Sequence, residues 1–318
     1  MVSYREKVMG MFEGIAIGDV FGLPFESTRY DELHNEGRHT SYLLSRYSDD
    51  TQLTLAVALA LMDGEIDINT HVVRHIEAWE EDTFGWGRTT RNSVEALANG
   101  VPYTKSSTGN GVGNGVPMKV GPLAAYLFRS RQQGMNVEAI YDFLVQLCVM
   151  THKSDIALQS GAAHLLGLET CFKTQPGDPT FVTRFIDSVS VASMEFRGRA
   201  KERHENDLTA RLRMLHDYEK YDSIEQIVEA FDGGTCYCYN SLPFAYTFFL
   251  RNPMSVDSLY DVGQAGGDTD SNAAMVGACL GALHGPTIFP KHLRFELPHR
   301  EKIIGIATDF CNQFPLED

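Results

Sequence analysis

The chain has 318 residues, 43% of them hydrophobic, and a formal net charge of −15 from 27 Lys+Arg against 42 Asp+Glu. That length can bury a substantial core, and the acidity argues against nucleic-acid backbone and anionic membrane surfaces as general partners, so an anionic substrate needs its own local receptor. The six cysteines are scattered, and only Cys236 and Cys238 lie close together, in "TCYCY"; without a second Cys or His pair at zinc spacing, buried free thiols in a reducing cytoplasm are expected.

In chain order, "MVSYREKVMGMFEGIAIGDVFG" opens with a predicted helix over Tyr4–Gly18. It lacks a signal peptide's succession of basic segment, apolar run and cleavage site, and no apolar run is expected to be long enough to span a bilayer. "GIAIGDVFGLPFE" then sets Asp19 and Glu26 on either side of a Gly/Pro turn, where a buried acid or base and an ordinary surface carboxylate are both open. Apolar periodicity predicts further helices over Asp49–Met62, Asn69–Glu81, Thr89–Ala98, Pro117–Arg129, Val137–Met150, Asp155–Thr170 and Thr183–Arg199. The same pattern continues over Asp207–Tyr218, Ile224–Phe231, Ser241–Leu250, Val256–Val262, Asn272–Leu283 and Glu301–Phe314. The charged stretch 195–219 keeps Leu208, Leu212 and Leu215 at helical spacing, which makes it a solvated helical face rather than a linker. With no linker, repeat or convincing run of strands, the expected fold is all-α, a compact single-domain orthogonal multi-helix bundle over residues 1–318.

Two of these helix starts carry a pair of aspartates beside a serine. In "YSDDTQLTLAVALALMDG", Ser48 is a good N-cap and Asp49 and Asp50 fall in the first turn, where the helix dipole favours negative charge. Capping alone explains that motif taken singly. The second start, "GGDTDSNAAMVGACLGALHG", packs Asp268, Asp270 and Ser271 behind "GQAGG", whose glycines allow a sharp turn and a close approach. Read as extended, this segment points Asp268 and Asp270 to the same side. Both following helices are Ala-rich and apolar, hence core elements, so four carboxylates stand at semi-buried positions. Their mutual repulsion runs to roughly several kcal/mol unless protons or cations intervene. An oxygen-only ligand set selects hard Mg²⁺ or Mn²⁺ over Zn²⁺, and four carboxylates suit a binuclear metal cleft.

"GNGVGNGVPMKVGPLAAYL" is a Gly/Asn-rich loop before a Pro-initiated helix. Such a loop can cradle a phosphate through backbone N–H groups, or be a plain connection; it matches neither a P-loop nor a dinucleotide fingerprint. "THKSD" offers His152 at a helix junction, where a structural histidine is the commoner outcome, and "FGWGRTT" can be simply a turn into its helix. No G-x-S-x-G elbow marks a nucleophile.

In this order, "GDVFGLPFE", "YSDDTQLTLAVA", "FGWGRTT", "GNGVPMKVGPLA", "THKSD" and "GGDTDSNAAMVGACLGALHG" together resemble the ADP-ribosylglycohydrolase family. The resemblance implies an all-α fold binding two Mg²⁺ or Mn²⁺ ions and hydrolysing the glycosidic bond that joins ADP-ribose to an acceptor. The substrate implied is an ADP-ribosylated protein or related conjugate, and the product is ADP-ribose. It makes Ser48, Asp49, Asp50, Asp268, Asp270 and Ser271 the metal ligands, with Ser48 and Ser271 where many members have threonine. It casts Glu26 beside the metals, sharing catalysis with Asp49 and Asp270. Gly113, Asn114, Gly115, Val116 and Met118 fall on the loop that embraces ADP-ribose, and His152 on the histidine lining its cleft. The rival readings are a silent ADP-ribose-binding relative and a metal-dependent phosphohydrolase that cuts the pyrophosphate.

Overall fold

The computed structural model of the chain describes residues 1–35, 46–107, 111–200 and 205–316; Gly109 and Asn110 of the Gly/Asn-rich loop and Lys201–His204 of the charged stretch lie outside the described residues. The protein is an all-α multi-helix bundle. The described residues contain helices α1 (Tyr4–Gly22), α2 (Tyr30–Asn35), α3 (Asp49–Gly64), α4 (Ile68–Glu81), α5 (Arg88–Ala98), α6 (Tyr103–Ser106), α7 (Gly121–Gln132), α8 (Glu138–Thr151) and α9 (Asp155–Lys173). They continue with α10 (Phe181–Phe196), α11 (Leu208–Arg213), α12 (Ile224–Ala230), α13 (Cys238–Arg251), α14 (Asp257–Gly263), α15 (Thr269–His284), α16 (Lys291–Phe295) and α17 (Arg300–Gln313). Among the described residues no strand forms, and a single isolated bridge pairs Gly113 with Tyr237.

α1 starts at a capping box. Ser3 Oγ accepts the Glu6 N–H and the Glu6 carboxylate accepts the Ser3 N–H, which satisfies two donors that a helix start leaves open. The helix runs four residues beyond the expected Gly18, to Gly22, and passes into a short 3₁₀ turn, Leu23–Phe25. Together these form a 22-residue segment, Tyr4–Phe25, with mean hydropathy 1.4. That corrects the expectation that no run reaches membrane-spanning length and apolarity, but 89% of its apolar window is buried inside the fold. α1 is a central core helix, apolar on nearly all sides because neighbours surround it.

Its main neighbour is α15, and the two form the most extensive helix pair in the molecule. Gly10, Gly14, Gly18 and Gly22 line one stripe of α1. A Cβ added at Gly14 would fall 2.1 Å from the Gly277 carbonyl oxygen, and one at Gly18 would fall 2.1 Å from that of Ala273. From the other side, a Cβ at Gly281 would lie 1.9 Å from the Gly10 carbonyl oxygen. Backbone therefore packs directly on backbone, an approach that a stripe of small residues permits at close-packed density. Two buried charges hold other elements to α1. The Lys7 ammonium donates to the Cys171 and Phe172 carbonyls, 3.0 Å each, and to that of Thr174, closing the C-terminus of α9. Glu13 receives Arg294 and Arg300 at 2.7 and 2.8 Å and so anchors α16 and α17. The buried apolar residues form one large cluster, with a satellite of Leu53, Trp86, Val94 and Met118 under the start of α3.

Candidate metal and substrate cleft

The first turn of α3 behaves as its sequence suggests. Ser48 is the N-cap and its Oγ accepts the Asp50 N–H at 3.3 Å. Asp49 Oδ2 accepts the Gly87 N–H at 3.2 Å, so the "FGWGRTT" turn bears on this site as well as leading into α5. Trp86 reinforces the contact by donating its indole N–H to Gln52 of α3 at 2.5 Å. Asp50 is buried; its Oδ2 accepts the Ser271 hydroxyl at 3.0 Å and the Ser48 hydroxyl at 3.3 Å, while Oδ1 is buried without a hydrogen-bond partner. The Ser271 bond joins the two acidic starts directly.

At the second start the helix begins earlier than expected, at Thr269 rather than Asn272. Asp268 is thus the N-cap and Asp270 lies in the first helical turn, so strand-like alternation does not bring them together. They converge because both flank the open N–H end of α15, whose stripe stays in contact with α1 as far as Thr269 beside Gly22. The approach turns on Gly266 and Gly267, both at positive φ. A Cβ at Gly267 would fall 2.0 Å from the Gly233 carbonyl oxygen, which explains the glycine. Asp268 Oδ2 accepts Asn114 Nδ2 at 2.5 Å; the same amide donates to Ser241, and Ser241 donates to Asn272. This chain fixes the Asp268 side chain from α13 and α15.

Glu26 caps the 3₁₀ turn after α1 and stands exposed at the rim, and one oxygen from each of Glu26, Asp268 and Asp270 lies within 4.8 Å of the others. Burial, then the charges of Asp268 and Asp19, raises the Glu26 carboxyl above its ordinary value. Burial is also the first cause at the aspartates. It pushes Asp49 up to about 8 against the Gly87 hydrogen bond, and Asp50 and Asp270 well above the carboxylate range, with neighbouring aspartates adding to each. Asp268 is raised by burial, although Asn114 opposes it. Carboxylates that resist ionising together, an orphaned Asp50 oxygen and an all-oxygen donor set are the conditions under which a hard divalent cation can be held.

The Gly/Asn-rich loop packs in part against the fold. Gly111 N–H bonds the His152 carbonyl and Asn114 N–H bonds that of Cys236, so these two donors are turned to protein. Val116 and Met118 are buried: the Val116 methyl fills the space that Gly161 leaves, and Met118 joins the satellite cluster. The 3₁₀ turn Pro117–Lys119 directs both side chains into the core. Gly113 is half-buried and Gly115 is buried. His152 packs beneath the same loop. It is 2% exposed, its Nδ1 lies 2.9 Å from Thr151 Oγ1, and its ring edge occupies the place of a Gly115 side chain. Burial, aided by the nearby Lys119 charge, pushes its imidazole down to about 3, so it is neutral at ordinary pH.

Asp19 was not singled out as a site residue. It is fully buried on α1 and its carboxylate accepts the N–H groups of Ser48 and Thr51 and the Thr51 hydroxyl. A lone charge inside an apolar helix was the available signal, hidden because the helix was expected to end at Gly18. Lys119, also fully buried, donates to Thr151 Oγ1 at 3.4 Å, and burial pushes it down to about 8 although Cys148 and Asp49 draw it up.

A cavity of about 650 Å³ opens beside Glu26 and Asp268, lined also by Thr28, Asp232, Thr235 and Cys236. It is large enough for a nucleotide-sized ligand. A pocket of about 260 Å³ behind α3, lined by Tyr47, Leu59 and His299, has its rim charges paired as Arg46–Asp82 and Lys302–Glu81; it contains none of the six aspartate and serine residues of the cleft.

The family described as ADP-ribosylglycohydrolase matches residues 1–318. An Escherichia coli (strain K12) protein named "Uncharacterized protein YegU" is 26% identical, covering 92% of each chain. The ADP-ribosylarginine hydrolase Tri1 of Serratia proteamaculans is 24% identical over 98% of this chain and 81% of its own. The ADP-ribosylhydrolase ARH3 of Xenopus tropicalis is 23% identical over 90% and 88%. Among solved structures, one described as an ADP-ribosylglycohydrolase-related protein complex superposes with a TM-score of 0.71 at 21% identity, covering 99% of this chain and 100% of that one, which bears out the fold.

Proposed function

The chain belongs to the ADP-ribosylglycohydrolase family, and on that premise we propose that it hydrolyses the glycosidic bond between ADP-ribose and an acceptor on an ADP-ribosylated protein or related conjugate, releasing ADP-ribose. The observation that carries the reading is the meeting of the two acidic helix starts, joined by the Ser271–Asp50 hydrogen bond, beside a cavity of about 650 Å³. Residues 1–318 act as one catalytic unit in this reading. A cytoplasmic setting goes with it, supported by the six free cysteines.

Ser48, Asp49, Asp50, Asp268, Asp270 and Ser271 would hold two divalent cations, Mg²⁺ or Mn²⁺, with Glu26 beside them. When bound, such ions supply positive charge that orients ribose hydroxyls and makes a water more acidic. Glycoside cleavage passes through an oxocarbenium-like state in which positive charge builds beside the ring oxygen. The carboxylates of this cleft stabilise that charge when ionised; burial first, and neighbouring carboxylates second, raise the pKa values of Asp49, Asp50 and Asp270. Glu26, exposed at the rim and raised above an ordinary glutamate, can exchange a proton with the leaving group or the attacking water. Asn114 holds Asp268 in one orientation throughout, and His152 and Thr151 keep the loop that carries Asn114 in place.

The test is an ADP-ribose release assay on arginine-, serine- and nucleic-acid-linked substrates with Mg²⁺, Mn²⁺ or EDTA, using wild type and Asp270→Ala. Release of intact ADP-ribose that EDTA and Asp270→Ala both abolish is expected. Release of AMP instead, or turnover unchanged in EDTA, sinks the reading.

A further inference from the structure

Within a single turn, α1 touches both acidic starts. On one side, Cβ atoms at Gly18 and Gly22 would lie 2.1 and 2.2 Å from the Ala273 and Thr269 carbonyl oxygens of α15. On the other side, Asp19 receives the Ser48 N–H on both oxygens, at 3.0 and 3.1 Å. Its Oδ2 also receives the Thr51 N–H at 3.1 Å and the Thr51 hydroxyl at 2.5 Å. These donors belong to the N-cap and first turn of α3, the segment that carries Asp49 and Asp50. A helix start leaves four N–H groups open and normally closes them with its own cap or with water. Here Ser48 Oγ serves Asp50, and a side chain from another helix closes Ser48 and Thr51. α3 is therefore registered to α1 by Asp19, and α15 is registered to α1 by backbone contact. The distance between the two carboxylate pairs is set through α1.

We propose that Asp19 is a positioning residue, which neither holds a cation nor touches substrate but fixes the Ser48–Asp50 turn at the spacing from Asp268 and Asp270 that bound divalent cations require. The proposal rests on the metal-dependent reading given above. Residues that orient metal ligands typically change metal affinity by about 10- to 100-fold when altered, whereas a merely structural cap changes stability and leaves the affinity of the folded protein alone.

Mn²⁺ titration followed by the electron paramagnetic resonance of free Mn²⁺ separates the two, run on the whole chain well below its melting temperature. Asp19→Asn replaces one acceptor with an NH₂ group that cannot receive the Ser48 or Thr51 N–H. The expected result is Mn²⁺ binding weaker by about 10-fold or more, with a parallel loss of turnover that added Mn²⁺ partly restores. A variant with a lowered melting temperature but wild-type Mn²⁺ affinity overturns the proposal. If Asp19→Asn does not fold, Thr51→Val removes a single hydroxyl donor and decides the same question: several-fold weaker binding supports the proposal and unchanged binding overturns it. Asp270→Ala separates the two levels. If it loses Mn²⁺ while Asp19→Asn or Thr51→Val retains it, only the Asp19 assignment fails; if it binds Mn²⁺ as wild type does, the metal reading itself fails.

Discussion

Gly277→Ala tests the packing that holds the cleft together. The new methyl would stand 2.0 Å from the Gly14 carbonyl oxygen and 2.7 Å from the carbon behind it. Neither atom can swing aside, because both are backbone of a buried helix. To restore the 3.4 Å of an ordinary contact the two helices must part by about 1.4 Å, and a gap of about 1 Å already forfeits up to half of a dispersion contact along the neighbouring stripe. Overpacking of a core typically costs about 1–3 kcal/mol, and the rigid neighbour places this site at about 3 kcal/mol. At about 2 °C per kcal/mol for a chain of this size, the melting temperature should fall by about 6 °C. Gly305→Ala is the matched control: it lies in α17, is exposed, and its Cβ would meet nothing within 4 Å. Helix propensity predicts a gain of about 0.5–1 kcal/mol there. Thermal unfolding of the two variants beside wild type reads both. If Gly277→Ala melts within a degree or so of wild type, the claim of direct backbone contact between α1 and α15 is wrong.

The buried histidines should weaken the fold in acid, an effect that the raised carboxylates of the cleft oppose. Burial holds His164 down at about 3, below the roughly 6.5 of an unfolded chain. Between those values the unfolded chain takes up a proton that the folded one refuses, so stability rises with pH in that window and is lost as pH falls below about 6.5, by about 1.4 kcal/mol per unit. Urea unfolding across this range should show a shallower slope for His164→Gln, whose amide can still partner the Tyr246 hydroxyl 3.0 Å from the imidazole; an unchanged slope contradicts the assignment. The rim of the large cavity carries Glu26, Asp31, Glu229 and Asp232, while Arg29 is paired to Asp31. Conjugates whose acceptor is cationic should therefore show a higher kcat/KM than those with a neutral acceptor, with an advantage that shrinks as salt is added. A ratio independent of salt argues against it.

Much of the helical layout is legible in the sequence because most helices carry a clear apolar periodicity. Those missed, α2, α6 and α16, have four to six residues each, too short to show a period. α13 was expected to start at Ser241, whereas it begins at Cys238 and carries Pro243 as an interior residue, a position where proline removes one helical hydrogen bond and so hides the helix start from a sequence reading. The two acidic starts are legible because local capping chemistry marks them, and the Ser271–Asp50 hydrogen bond links them. Asp19 was harder, because which face of a helix turns inward depends on neighbours far along the chain. The repeat of Gly10, Gly14, Gly18 and Gly22 stands in plain view, but a stripe of small residues does not name its mate near the other end of the chain.

That remoteness has a consequence for how the protein comes into being. α1 leaves the ribosome well before α15, which lies far along the chain from it. At about 5–20 residues per second, α1 waits on the order of 10–50 s for its partner. During that interval an apolar helix with an uncovered glycine groove must be shielded by other parts of the chain or by chaperones. The cleft cannot exist in any shorter nascent chain, because one of its two acidic turns precedes this long closure and the other follows it. Site assembly is thus coupled to the completion of folding, and truncated products should be unable to capture a cation in the native arrangement.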